Sequence, residues 1–224
     1  TPRRAYHHAP ADVRASPDTS RVLRYLQSLP ERPDQRLLLA QDIWSYEGRM
    51  AGGYQRFITK LAEDTGKTLP MLHVSYGDPS HPGPHGDFVP EANAFAKRHW
   101  QAGGLVTIHI NPANPWTGGP STDLSQREHL ARLLDASTPE GQVWQRQLAA
   151  YATALTELRD AGVVVLWRPL HEMTFLQCYW YDYGATRDLE VFKQLWRQMF
   201  HYFTHERQLH NLLWVYAVAD VGHW

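Results

Sequence analysis

A single cysteine, Cys178, stands in the 224-residue sequence. No internal disulfide framework is available to it, and its stability has to come from packing. Neither sign of charge is in excess. The formal net charge of -1 gives no electrostatic reason to expect nucleic acid or an anionic membrane as a partner. No apolar run approaches the roughly 20 residues of a transmembrane helix, and no signal peptide opens the chain. No Gly-x-Gly-x-x-Gly opens a helix and no Walker A sequence occurs, so nucleotide-binding α/β folds lose support. The first residue is Thr1 rather than Met, which accords with a processed secreted protein or with a sequence that starts inside a longer one. What is present is ordinary globular composition, 43% hydrophobic and 20% charged, enough for a substantial core. Aromatics are the one excess: nine Trp and eleven Tyr, flat rings that suit core packing and stacking on sugars alike.

Along the chain, residues 1–19 are polar with scattered proline and read as an extended N-terminal arm; residues 20–224 read as one domain. Ser20 is the expected N-cap of a helix carrying Val22, Leu23, Leu26 and Leu29. Short apolar segments then alternate with helical ones. Strands are expected over 36–42, 69–76, 105–111, 163–170 and 211–218. Helices are expected over 53–65 (closed by Gly66), 91–102, within 126–160, and over 188–206. Strands alternating with helices imply right-handed βαβ units and a parallel sheet. Doubly wound open sheets and the eight-stranded (β/α)8 TIM barrel both satisfy that pattern. Gln41, Asp42, Tyr76, Asn111, His171, Glu172 and Asp220 all fall where strands end. Barrel enzymes build their sites at that face, so the barrel is the expected fold.

The densest chemistry lies in Trp167-Arg-Pro-Leu-His-Glu-Met173. A strand apolar through Leu166 turns abruptly to Arg, His and Glu, and buried charge of that kind is costly unless paired or used. Arg168 and His171 can hold a neighbouring carboxylate, and Glu172 would then project from a strand end as a general acid requires. The alternative is a structural Arg–Glu pair closing the barrel top. His171-Glu172 also begins like the zinc-protease signature His-Glu-x-x-His, but Phe175 occupies the fifth position, which excludes it. His81 and His85 share i, i+4 spacing, yet Pro82 and Pro84 prevent a helix there, so they read as surface loop.

Arg168-Pro-Leu-His-Glu-Met173 at a fourth strand, with an aromatic loop ending in Gly184, resembles glycoside hydrolase family 26. These are mostly β-mannanases, with some β-1,3-xylanases and mixed-linkage glucanases. Trp100-Gln-Ala-Gly-Gly-Leu-Val-Thr-Ile108, Asn114-Pro115 and Asn211-Leu-Leu-Trp-Val-Tyr216 are similar to later landmarks of the family, in the right order. The resemblance implies that Glu172 is the acid/base and His171 its neighbour at the cleavage subsite. It also implies a second carboxylate, the nucleophile, about 5–5.5 Å away if stereochemistry is retained. In this family that nucleophile is a Glu ending the seventh strand. Five strands are expected before Trp224, so it is not in this sequence, and about the first five β/α units are present.

The sequence departs from the family in two places. Where the family has a His ahead of Asn-Pro, this chain has Asn111; His109, two residues earlier on the same side of the strand, can partly take its place or be an ordinary satisfied core histidine. After Met173 the segment Thr174 to Gly184 is longer than usual. Candidate sugar-binding residues are therefore His171, Arg168, His109, Asn111, Trp116, Tyr179, Trp180 and Tyr181, with Tyr183 beside them. The activity implied is an endo-acting β-mannanase-like glycoside hydrolase working by double displacement on β-1,4-mannan. The alternatives are a non-catalytic glycan-binding barrel, or a hydrolase of β-1,3-xylan, mixed-linkage glucan or an exopolysaccharide. A secreted or periplasmic monomer is expected, its partner a polysaccharide or oligosaccharide, with no nucleic acid, no membrane insertion, no metal and no cofactor.

Overall fold

The computed structural model describes residues 8–33, 37–43, 50–77, 88–127, 129–172, 178–181 and 189–218. Helix α1 (Pro17–Ser28) leads to strand β1 (Ala40–Asp42). A helical run follows, α2 (Met50–Tyr54) passing through a π-helical turn (Gln55–Thr59) into α3 (Lys60–Thr65), then β2 (Met71–Tyr76), α4 (Phe88–Gln101) and β3 (Leu105–Ile110). A 3-10 turn (Leu130–Leu134) precedes the long α5 (Pro139–Asp160), β4 (Val165–Arg168), α6 (Leu189–His201) with a π-helical turn (Tyr202–Glu206), and β5 (Leu212–Trp214).

The five strands are all parallel and lie in the order β1-β2-β3-β4-β5, each beside its neighbour in sequence. Doubly wound sheets reverse strand order at a switch point. Uninterrupted order is the winding of a (β/α)8 barrel, of which five units are described here. Gly66, at φ +67, closes α3 in the left-handed conformation that glycine adopts without strain.

Strand parity sorts the side chains into two layers. Outward residues Leu72, Val74, Tyr76, Val106, Ile108, Ile110, Val165 and Trp167 join one large core with Trp144, Leu148, Tyr151, Leu155, Met199 and Phe203 from the covering helices. Trp167, fully buried, packs edge-on against Tyr151 and Phe203 with ring centroids 6.4 and 5.7 Å away. Tyr76 belongs to this layer: its hydroxyl donates to Asn93, so it faces the helices and not the barrel mouth.

Inward residues change character along the strands. At the amino-terminal end they are apolar, with Val164, Leu166 and Leu213 packed against Met71, Leu105 and Val22 of α1. Toward the carboxyl end they become His73, Ser75, His109, Asn111 and Arg168. Burying apolar groups at one end and polar groups at the other fixes which end can bind a polar ligand.

Helix α1 plugs the apolar end, and it starts earlier than expected. Ser16, not Ser20, is the N-cap, its hydroxyl accepting from the Thr19 amide, with Pro17 in the first turn. Within the expected arm, Asp12, Ser16 and Thr19 are tied to the segment before β5. Ser16 N and Thr19 Oγ1 both donate to the His210 carbonyl, and His210 Nδ1 lies 2.7 Å from the buried Asp12 carboxylate. Ser20 lost to Ser16 because the Ser-Pro-Asp order supplies a cap, a preset φ and a first-turn anion together.

Candidate active site

The carboxyl ends of β2, β3 and β4 supply the polar floor of the barrel mouth. In register, His109 of β3 pairs with Ser75 of β2 and with Arg168 of β4. His73 Nδ1 lies 3.3 Å from Asp42 Oδ2, where β1 ends. On its other side His73 Nε2 lies 2.6 Å from His109 Nδ1 and 3.4 Å from Arg168 Nη1. His109 Nε2 in turn meets Asn111 Nδ2 at 3.2 Å. Burial, then the neighbouring His73, His171 and Arg168, hold the His109 ring well below its usual pKa, so it is neutral.

After Arg168 the backbone bends sharply. Leu170 and Glu172 adopt φ of +46 and +55, left-handed values that cost non-glycine residues of order 1–3 kcal/mol each. The bend is held by the Glu172 amide, which donates to the Ala217 carbonyl just beyond β5 at 3.0 Å. It sets the His171 ring edge-on against His109, 4.6 Å between centroids, and leaves Glu172 half-buried at the mouth. His171 is pushed down to about 4, by burial first and then by Arg168 and His73, against the opposing pull of the Ile110 carbonyl and Asp42. It is a neutral hydrogen-bonding group at neutral pH, with Nδ1 buried and unpartnered among the described residues. The Cys178 thiol is raised to about 12, chiefly by burial and then by the charge of Glu172. It stays protonated and offers no thiolate.

The expected sugar-binding residues fall into two groups. Arg168, His109, Asn111 and His171 come together on the floor beside Glu172. Tyr179, Trp180 and Tyr181 are 2%, 1% and 7% exposed, so their rings pack inward. Trp180 Nε1 donates to the His171 carbonyl at 3.1 Å, and Tyr179 meets Trp180 edge-on. These rings brace the Glu172 turn from behind. Trp116, half-buried and edge-on to Tyr179, keeps part of its face outside the core. Asn114 places it: the side chain accepts from the Trp116 amide at 2.8 Å and donates to the Asp123 and Gln126 carbonyls.

Two members of the floor escaped the sequence reading. His73 sits inside an apolar strand with no motif around it, and its inward parity was the only available signal. Asp42 was noted as a strand-end residue but not as its partner. Met173, Tyr183, His81, His85 and Asp220 lie outside the described residues. Among the described residues, no group of three or more His, Cys, Asp or Glu side chains is arranged to hold a metal ion.

Comparison with known proteins places the chain in a family. The mannan endo-1,4-beta-mannosidase of Bacillus subtilis is 29% identical over 234 residues, an overlap of 97% of this chain and 61% of that protein. The mannan endo-1,4-beta-mannosidase A and B of Caldalkalibacillus mannanilyticus is 30% identical over 211 residues, covering 91% of this chain and 40% of that protein. Among solved structures, Bacillus subtilis mannanase man26 superposes with a TM-score of 0.79 at 26% identity, over 95% of this chain and 65% of that one. The chain thus spans 61% or less of the length of these two curated relatives. The sequence profile described as "Glycosyl hydrolase family 26" matches residues 12–223, from the buried Asp12 through β5. With nearly every residue inside that match, the chain belongs to glycosyl hydrolase family 26.

Proposed function

We propose that this chain carries the acid/base half of a retaining endo-β-1,4-mannanase site, with Glu172 as the acid/base. The observation that supports it best is the Glu172 turn. A strained backbone, tied to Ala217 just beyond β5 and braced by buried aromatic rings, holds one half-buried carboxyl group above a floor that includes the neutral His109 and His171 rings and one guanidinium. Strain of this kind persists where the surroundings over-determine it, and functional sites are where it concentrates.

In the proposed reaction Glu172 gives its proton to the glycosidic oxygen as that bond breaks, while a second carboxylate attacks the anomeric carbon. Glu172 then takes a proton from water, whose oxygen displaces the second carboxylate and releases the sugar. The nucleophile is a Glu beyond the sequence in hand, about 5–5.5 Å from Glu172 if configuration is retained. Arg168, His109, Asn111 and His171 bind the sugar at the cleavage point, and Trp116 offers it a partly open aromatic face. A polymeric substrate is met outside the cytoplasm, which supports a secreted or periplasmic protein; a monomer is part of the same proposal. No helix among the described residues is long and apolar enough to cross a membrane.

The test is Glu172→Gln in the full protein, assayed on mannan and on an aryl mannoside with a good leaving group. Turnover of mannan should fall by about two to four orders of magnitude, the scale of general acid–base catalysis. The activated substrate needs less proton assistance and should lose less in the glycosylation step. Near-normal mannan turnover by Glu172→Gln would remove Glu172 from the role. A wild-type protein that binds mannan without releasing reducing ends would instead favour a glycan-binding barrel. Cleavage of β-1,3-xylan, mixed-linkage glucan or an exopolysaccharide in preference to mannan would reassign the substrate.

A further inference from the structure

The floor residues form a chain of contacts whose proton positions are not free. One end is the Asp42 carboxylate, which only accepts, so His73 Nδ1 at 3.3 Å must carry its hydrogen. The state of His73 Nε2 is then decided by its other contacts. Arg168 Nη1, always a donor, points at that Nε2 from 3.4 Å and requires it to be bare. His109 Nδ1, 2.6 Å from the bare nitrogen, must therefore be the protonated one, and His109 Nε2 the acceptor. That acceptor selects the NH2 group of Asn111 as its partner at 3.2 Å.

The other end of the chain accepts the same polarity, through contacts too long to set it alone. The amide nitrogen of Asn111 is also 3.5 Å from the Gly77 carbonyl and 3.5 Å from Ser75 Oγ, and the Ser75 hydroxyl is spent on that same carbonyl. Flipping the amide would set its oxygen against Gly77 O and leave His109 Nε2 without a donor. The His109 contact, the shortest that Asn111 makes, therefore sets the orientation: Nδ2 faces inward and Oδ1 is left over. The neutral state of the His109 ring is consistent with this.

We propose that Asn111 Oδ1 accepts a hydrogen bond from a hydroxyl of the sugar bound beside Glu172, and that His73 is a positioning residue that sets this polarity through His109. The recognised chemistry is a hydroxyl that donates, and a sugar whose group at that position only accepts is discriminated against. This rests on the glycosidase reading of Glu172 for the identity of the ligand, but the proton arrangement does not.

The first measurement is made on the wild-type full protein, labelled with nitrogen-15 in its histidine rings. The imidazole shifts and couplings at neutral pH should report both His73 and His109 as Nδ1–H tautomers. An Nε2–H tautomer or an imidazolium at either ring overturns the proposal, and no variant has to fold for that result. The second measures mannotetraose binding by calorimetry in the Glu172→Gln protein, alone and with His73→Phe, Asn111→Leu or both. Each added change should weaken binding roughly fivefold, the scale of one hydrogen bond, and the pair should lose no more than either alone. Losses that multiply to about 25-fold would mean that the two residues act separately, and would sink the positioning role. If the protein neither binds nor cleaves mannotetraose, the mannan reading fails, and the tautomer measurement alone decides the proton arrangement.

Discussion

Replacing His171 with phenylalanine keeps a ring of similar size against His109 and Trp180 while removing the titration. In the folded protein this ring is depressed to about 4, first by burial and then by Arg168 and His73. In the unfolded chain it titrates near 6.5. Above pH 6.5 both states are neutral and the ring makes no pH-dependent difference. As pH falls from 6.5 toward 4, the unfolded chain takes up a proton that the native site refuses, so native stability is lost across that window. Below 4 both states are charged and the loss levels off. The slope approaches 1.4 kcal/mol per pH unit for one proton, and integrating from pH 7.5 to pH 4 gives about 3 kcal/mol. Urea unfolding of wild-type and His171→Phe protein at several pH values across that range reads this directly. The variant should gain about 3 kcal/mol on the wild type between pH 7.5 and pH 4. Exposed carboxylates cancel in the difference, and His109, depressed mainly by burial, loses only a lesser cause of its depression in the variant. Parallel stability curves would refute the reasoning, since they would mean that native His171 takes up its proton as freely as the unfolded chain.

Two further outcomes follow from buried groups. Asp12→Ala strips His210 of its partner and should destabilise the protein by about 1–3 kcal/mol, measured by thermal or urea unfolding. An unchanged midpoint would mean that the staple contributes nothing. Cys178, buried and with its thiol raised to about 12, should react with a thiol-specific reagent at pH 8 far more slowly in the native protein than in urea. Equal rates would place it in solvent.

The layered design was legible because strand parity is a strict code. Val163-Val-Val-Leu-Trp-Arg168 announces a buried strand, and its two faces separate cleanly into a helix-facing set with Trp167 and a lumen-facing set with Leu166 and Arg168. Helix ends marked by glycine were also legible, as at Gly66. What escaped was anything decided by partners far along the chain. His73 looks like any polar residue in an apolar run until β1 and β3 flank it. Tyr179, Trp180 and Tyr181 suggested a sugar platform, because an aromatic ring reads identically whether it faces ligand or core. The arrangement that packs them is set by the His171 carbonyl and the loop around Asn114. The start of α1 was misread for a nearer reason: two serines competed, and the proline and aspartate after Ser16 decided it.

The staple between Asp12 and His210 joins residues 198 positions apart in the chain. A ribosome adding roughly 5–20 residues per second needs about 10–40 s to cover that stretch. Once α1 has left the exit channel its apolar face stays bare for most of that time, because Leu213 and the His210 carbonyl that receive it do not yet exist. Its docking is a late, non-local event that closes the apolar end of the barrel. Chaperones that recognise short amphipathic segments have their longest opportunity there.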